Sequence, residues 1–310
     1  MSACELCPRS CGVARDEGQR GICGIGDELL VAHEQLHRWE EPSISARHGS
    51  GTIFFSGCPL QCVYCQNASI SREAVGSVRT PDALADDMVA LVKAGAHNIN
   101  FVTPTHMAPQ IREAVCIARE KGFSAPIVWN TSGYETVQAI RANKGFVDVY
   151  LTDFKYASEL IAHDLSGAAD YPQRARAALL QMIEQIEGIE FERDGEDEVM
   201  VRGVIVRHMV LPGQVEESKR VLELLRKVIG TSPAVKLSLM SQYTPVICKR
   251  AEMGDKRAAQ ALALYPALAR TVDASEYDEV LDYADELGFD EYYWQEGNAA
   301  SESFIPLFPS

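Results

Sequence analysis

At 310 residues, 46% of them hydrophobic, the chain can bury a barrel-sized core with a small appendage, although length alone would suggest two ordinary domains. Its 44 acidic against 29 basic residues give a formal charge of -15 without a basic run, which argues against nucleic acid and anionic membrane surfaces as partners. The start, MSACELC, lacks a charged segment leading into an apolar one, and no run of about 18 apolar residues follows, so no membrane partner and a cytoplasmic location are expected.

In chain order the first feature is ACELCPRSCGVARDEGQRGICG, in which Cys4, Cys7, Cys11 and Cys23 are spaced C-x2-C-x3-C-x11-C beside Gly12, Gly21 and Gly24. Four soft ligands with glycines that allow close backbone approach make a complete metal set. Zinc and an auxiliary [4Fe-4S] cluster both fit four thiolates, with zinc slightly ahead. Residues 25–50 read as a connecting segment. Within them His33-Glu34-Gln35-Leu36-His37 matches H-E-x-x-H, but a metalloprotease needs both histidines on one face of a well-formed helix. The segment is short and closed by Pro42, so these residues are expected to pack or to lie on the surface.

Next comes GTIFFSGCPLQCVYCQN, Gly51 to Asn67, around which the chain is organised. Thr52 to Phe55 is a short apolar, β-branched and aromatic run ended by Ser56-Gly57, hence a buried strand entering a loop. The loop carries Cys58, Cys62 and Cys65, spaced C-x3-C-x2-C, with no fourth cysteine nearby. Three thiolates leave one iron of a [4Fe-4S] cubane without a protein ligand, and an open iron can bind a cofactor directly. With seven of the nine cysteines in two tight groups, metal ligation is the expectation and disulfides are not.

Beyond this loop, apolar runs alternate with helical patterns. Thr80 as N-cap, Pro81, the spacing of Leu84, Met88 and Leu91, and Gly95 as stop mark one helix. Strands are predicted at Ile99 to Thr103, Ile127 to Asn130, Val147 to Phe154, Gly203 to Leu211 and Val235 to Leu239. Helices fall near 108–121, 134–143, 171–187 and 215–229, and a last one from Ser275 to Leu287. Six strands alternating with helices imply a parallel sheet with right-handed crossovers. Polar motifs cluster where the strands end: Thr103-Pro104-Thr105-His106, Asn130-Thr131-Ser132, Asp153-Phe154-Lys155, Arg207-His208 and Ser241-Gln242-Tyr243. Positions 153 and 155 share one face of a strand after Val147, Val149 and Leu151, which suggests a charge pair at a barrel mouth. Cys116 and Cys248 are read as structural thiols, and Glu192 to Glu198 as an exposed acidic loop.

The cysteine loop, with Tyr64 as the aromatic before its last cysteine, resembles the signature of the radical S-adenosylmethionine (SAM) superfamily. ELCPRSCG, HRWEEP, NINFVTPTH, NTSGYE, YLTDFKY, RHMVLPG, SLMSQYTP and SEYDEV together resemble pyruvate formate-lyase activating enzyme-like iron–sulfur proteins over nearly the whole chain. The resemblance implies an α/β fold, a partial (βα)6 TIM-type barrel open at one side. It also implies an open-iron [4Fe-4S] cluster at Cys58, Cys62 and Cys65, SAM as cofactor, and a reductant such as flavodoxin or ferredoxin. The chemistry it implies is reductive cleavage of SAM to a 5′-deoxyadenosyl radical that takes a hydrogen atom from substrate. Tyr64 then becomes an adenine neighbour, Asn130 and Ser132 ribose candidates, and Asp153 and Lys155 SAM contacts, with Arg207 and His208 further candidates at the mouth. Where the superfamily usually carries Gly-Gly-Glu for the SAM amino group, this chain carries Thr103, Thr105 and His106.

Residues 1–48 are thus expected to form a metal-binding segment and linker, and 49–310 a barrel with a C-terminal helix and tail. A SAM-dependent radical enzyme that abstracts a substrate hydrogen is the leading function, with glycyl-radical activation of a partner protein as its named subtype. Radical modification of a peptide or small molecule is the alternative, and an electron-transfer or metal-stabilised interaction protein a third.

Overall fold

The computed structural model describes residues 3–296, so the expected C-terminal tail lies outside the described residues. The cysteine-rich stretch is irregular apart from one 3-10 turn, Arg15–Glu17. The chain then runs β1 (Leu29–His37), α1 (Pro42–Ser45), β2 (Ser50–Phe55), α2 (Ala68–Ser71), β3 (Ser77–Arg79), α3 (Pro81–Lys93), β4 (Ile99–Val102), α4 (Ala108–Glu120), β5 (Ile127–Thr131) and α5 (Val137–Ala142). It continues through β6 (Val149–Asp153), α6 (Glu159–Ser166), α7 (Tyr171–Gln185), β7 (Glu190–Asp194), β8 (Asp197–Met209), α8 (Val215–Ile229), β9 (Val235–Met240), α9 (Val246–Glu252), α10 (Lys256–Leu264) and α11 (Ala274–Glu286).

Strands β2, β4, β5, β6, β8 and β9 lie side by side in that order, and every pair is parallel. Among the described residues no pairing returns β9 to β2, so the sheet is a partial barrel of the expected kind, open on one side. Helix starts follow the local chemistry. Thr80, for example, accepts a hydrogen bond from Ala83 N at 3.2 Å ahead of Pro81 in α3.

Strand alternation divides the core. Ile99, Phe101, Ile127, Trp129, Tyr150, Val204 and Val206, all on one face of the sheet, pack outward on the helices. Val128, Val149, Leu151 and Ile205 point inward and meet Ile44, from α1, which crosses the barrel interior. Asn98 holds that segment by donating from Nδ2 to Ile44 O at 2.8 Å and accepting from Ser50 Oγ at 2.6 Å. Val147 precedes its strand and packs with the outer core, so the inner row of β6 is Val149, Leu151 and Asp153.

The structure corrects three expectations. Residues 25–50 are no mere connector, because Leu29–His37 forms β1, antiparallel to β2 and to β3. His33 and His37 therefore sit on a strand, where the H-E-x-x-H spacing has no helical face to act on. The acidic run 192–198 belongs to a hairpin in which β7 pairs with the first half of β8, Asp194 opposite Asp197 across Gly195-Glu196. Cys116 is exposed rather than packed, while Cys248 is half-buried. No helix among the described residues is long and apolar enough to cross a membrane.

Candidate active site at the barrel mouth

The loop after β2 turns on two left-handed residues, Gly57 at φ 80° and Gln61 at φ 52°. A Cβ on Gly57 would stand 2.6 Å from Cys23 O, so only glycine lets the N-terminal segment close against the loop here. That segment grips the loop in return. Arg9 donates to Pro59 O at 2.8 Å and to Ser166 O at 2.9 Å, and Arg15 donates to Gly26 O at 2.7 Å and His106 O at 2.6 Å. From the other side Arg72 donates to Gln61 O at 3.2 Å and Cys62 O at 3.3 Å, and Arg250 to Cys62 O at 3.4 Å, both arginines sharing Asp255.

Cys58, Cys62 and Cys65 line a cavity of about 250 Å³ at the carboxyl ends of the parallel strands, together with Tyr64, Thr103, Asn130, Ser132, Asp153, Lys155 and Arg207. The inward rows explain the charge: each begins apolar and ends polar, Val128 then Asn130, Leu151 then Asp153, Ile205 then Arg207. Lys155 Nζ lies 2.6 Å from Asp153 Oδ2, and Arg207 Nε donates to Asp153 Oδ1 at 2.9 Å. Arg207 also donates to Asn130 Oδ1 at 2.7 Å and Glu40 Oε2 at 3.3 Å, and Asn130 donates to Glu40 Oε1 at 3.2 Å. Burial pushes the Asp153 carboxyl up, but Arg207 and Lys155 outweigh it and hold the group below its usual range. Burial likewise pulls the Lys155 ammonium down, and Asp153 with Cys62 more than restores it. The pair is ionised at neutral pH.

The thiols behave oppositely. Burial pushes Cys58 up to about 12, with Cys62 and Cys65 adding to the rise, and Cys65 is raised for the same reasons. Buried thiols such as Cys58 and Cys65 stay protonated unless a cation draws them into ionisation, which is what a metal ligand set requires. In the N-terminal segment burial pushes Cys7 up to about 12, with Cys23, Glu135 and Cys11 adding to the rise. Gly21 leaves room for Cys11 Sγ, which would stand 2.8 Å from a Cβ there. Among the described residues no group of three or more His, Cys, Asp or Glu is already closed around one ion point. A cubane takes one thiolate on each ligated iron, and the three-cysteine donor set of Cys58, Cys62 and Cys65 facing one cavity fits it, with one iron left open.

Three expected cofactor contacts lie elsewhere. His208 follows Arg207 on the strand and so faces outward, its Nδ1 donating to Phe154 O at 2.8 Å and its Nε2 accepting from Ser218 Oγ at 2.9 Å. His106, in the 3-10 turn Thr105–Met107, rotates away from the cavity, with Nε2 2.7 Å from Ser56 O. Burial lowers both rings to about 4. Thr105 donates to the buried Glu135 Oε1 at 2.6 Å. Of the residues standing where the superfamily carries Gly-Gly-Glu, only Thr103 lines the cavity, and its backbone is held at φ 58°, uncommon for a β-branched residue. Sequence reasoning missed His37, Trp39, Glu40, Gln66 and Met240 on the cavity wall, where Gln242 of the last strand-end motif also stands. The run HRWEEP contained three of them. A second cavity of about 340 Å³, between residues 38–46 and 293–295, shares Trp39, Glu40, Arg207, Met240 and Gln242 with the first.

A family model described as the radical SAM superfamily matches residues 52–228, more than half of the chain and all of the cysteine loop. The chain belongs to the radical SAM superfamily. It is also 27% identical over 301 residues to an uncharacterized protein, MJ0674, of Methanocaldococcus jannaschii, covering 94% of this chain and 76% of that one. Membership makes the protein an enzyme of the radical SAM type, whose family cofactors are a [4Fe-4S] cluster and SAM.

Proposed function

We propose that Cys58, Cys62 and Cys65 hold an open-iron [4Fe-4S] cluster and that SAM occupies the cavity between that loop and the Asp153-Lys155-Arg207-Asn130-Glu40 network. The observation that carries this reading is the shared lining: three thiols and a balanced set of charged side chains face one space. When bound, the cluster supplies one electron for cleavage of the sulfonium, and with it a carbon radical able to take a hydrogen atom from substrate. Lys155 offers its ammonium to the SAM carboxylate, Asn130 and Ser132 hydrogen-bond the ribose, and Thr103 replaces the usual carboxylate near the amino group. Tyr64 gives the adenine a buried aromatic wall. Cys4, Cys7, Cys11 and Cys23 hold a separate metal, zinc ahead of iron–sulfur, in a segment of residues 1–48 that braces the cysteine loop of the barrel. The protein acts in the cytoplasm with a flavodoxin- or ferredoxin-like reductant.

Hydrogen abstraction from a glycine backbone of a partner protein is the named subtype. Radical modification of a peptide or small molecule is the second reading, favoured by the adjoining 340 Å³ cavity, which would bring a substrate against Glu40 and Arg207. Anaerobic reconstitution with iron and sulfide, reduction and assay of SAM cleavage tests the common core. 5′-Deoxyadenosine should form only in reduced protein, and Cys58→Ala, Cys62→Ala or Cys65→Ala should each abolish it. Unchanged turnover in any of the three would remove the loop from the chemistry.

A further inference from the structure

Cys62 has a partner that ligation does not require. Its sulfur lies 3.1 Å from Ser166 Oγ, at the end of α6. Ser166 Oγ is 2.7 Å from Tyr156 Oη, and Tyr156 Oη is 2.6 Å from Tyr64 Oη. Ser166 and Tyr156 are 0% exposed, Tyr64 4% and Cys62 8%, so bulk water is not an alternative partner for these groups. The geometry is held by backbone rather than by side-chain rotamers alone. Val63 N donates to Leu165 O at 2.8 Å, Arg9 donates to Ser166 O at 2.9 Å, and Gly167 ends the helix in the left-handed region at φ 60°. The other two sulfurs are served differently. Ser71 Oγ stands at 3.6 Å from Cys65 Sγ, and Cys58 has the backbone amides of Gln61 and Leu60.

Each hydroxyl owns one proton, and a thiolate can only accept. Once Cys62 is ionised the direction is therefore forced: Ser166 donates to Cys62, Tyr156 to Ser166, and Tyr64 to Tyr156. We propose that Tyr64, Tyr156 and Ser166 form a one-way chain of hydroxyls ending on the Cys62 sulfur, and that it sets the reduction potential of the cluster held there. The inference rests on the reading that Cys62 is a cluster ligand. Adding an electron increases the negative charge on the ligand sulfurs, so a donor at sulfur stabilises the reduced form more than the oxidised one and raises the potential. Donors in series polarise one another, and the low-dielectric surroundings strengthen each bond. All three are positioning residues that act through Cys62.

The test is a redox titration of the reconstituted holoprotein followed by electron paramagnetic resonance, comparing wild type with Ser166→Ala, Tyr156→Phe and Tyr64→Phe. The midpoint should become more negative, most in Ser166→Ala, less in Tyr156→Phe and least in Tyr64→Phe. For Ser166→Ala the reduced-to-oxidised ratio at the wild-type midpoint should fall about tenfold, a shift of about 59 mV for a one-electron couple. Ser166→Thr, which keeps the hydroxyl, should restore the potential. A chain that only fills space would leave the potential in place, so wild-type midpoints in Ser166→Ala and Tyr156→Phe at full iron content would overturn the proposal. If Ser166→Ala does not retain its cluster, the two phenylalanine variants, each lacking one buried oxygen, decide by the same criterion. A wild-type protein that assembles no iron–sulfur cluster would instead overturn the reading beneath it.

Discussion

Asp153 is shared by two cations, Lys155 on one oxygen and Arg207 on the other, and Arg207 is in turn neutralised by Glu40. Formal charge in the network sums to zero, with its cationic end at Lys155, the residue electrostatically coupled to Cys62 and Cys65. Lys155→Ala should therefore weaken SAM binding roughly tenfold or more, since an ammonium–carboxylate contact in a partly buried site is worth about 1.5–3 kcal/mol. Iron content should stay at the wild-type level. Calorimetric titration of the reconstituted protein measures this, and wild-type affinity would move Lys155 out of the site. Parity made Asp153 and Lys155 legible in the sequence, because alternate residues on a strand share a face. The same parity argues against His208 beside Arg207, and Ile205 in the inner row settles which of the two turns inward. No such rule reaches Thr105 and His106, whose directions come from a 3-10 turn that periodicity does not reveal.

At the level of elements, the barrel strands were legible because each is a β-branched or aromatic run bounded by turn residues. β1 was not, since its second half, His33 to His37, is polar and only half-buried, and its pairing with β2 is long-range. β7 was hidden by its charge, although Asp194-Gly195 is a turn signal between two strands. The cysteine spacing of the first segment suggests a ligand set, but the sequence did not show where that segment docks. Its role can be separated from that of the cluster by metal analysis of the Cys58/Cys62/Cys65 triple-alanine protein. About one zinc and no iron is the expected result, fitting a brace that needs only a stable tetrahedral ion. About four irons with sulfide would make the segment a second redox centre. Neither metal in a folded protein would mean that Cys4, Cys7, Cys11 and Cys23 bind nothing.

For the molecule as a whole, buried titratable groups pull stability in opposite directions with pH. Burial lowers His106 and His208 from 6.5 to about 4, so in that interval the unfolded chain binds protons that the folded one refuses, and acid destabilises. Glu41 runs the other way. Burial, with Glu40 nearby, raises it from 4.5 to about 7 despite Arg207 and the Ser238 hydroxyl, so its contribution is full below 4.5 and is lost as pH rises through 7. Glu135 is raised in the same sense, chiefly by burial. Glu41→Gln removes one opposing group, so melting temperature should fall more steeply from pH 7 to pH 5 than in wild type, by about 1.4 kcal/mol of stability per pH unit. Melting curves at a series of pH values check this, and parallel profiles would show that Glu41 titrates as if in solvent.

The grip of Arg9 on the barrel also orders events during synthesis. Its carbonyl partners Pro59, Ser166 and Gly167 stand 50, 157 and 158 positions further along the chain. This segment leaves the ribosome well ahead of α6 and waits for it, and at about 5–20 residues per second roughly 8–30 s pass before its dock exists. Through that interval Cys4, Cys7, Cys11 and Cys23 are displayed on a nascent chain. Capture of the proposed metal there would precede the folding of the barrel, and the ion would shape the brace before there is anything to hold.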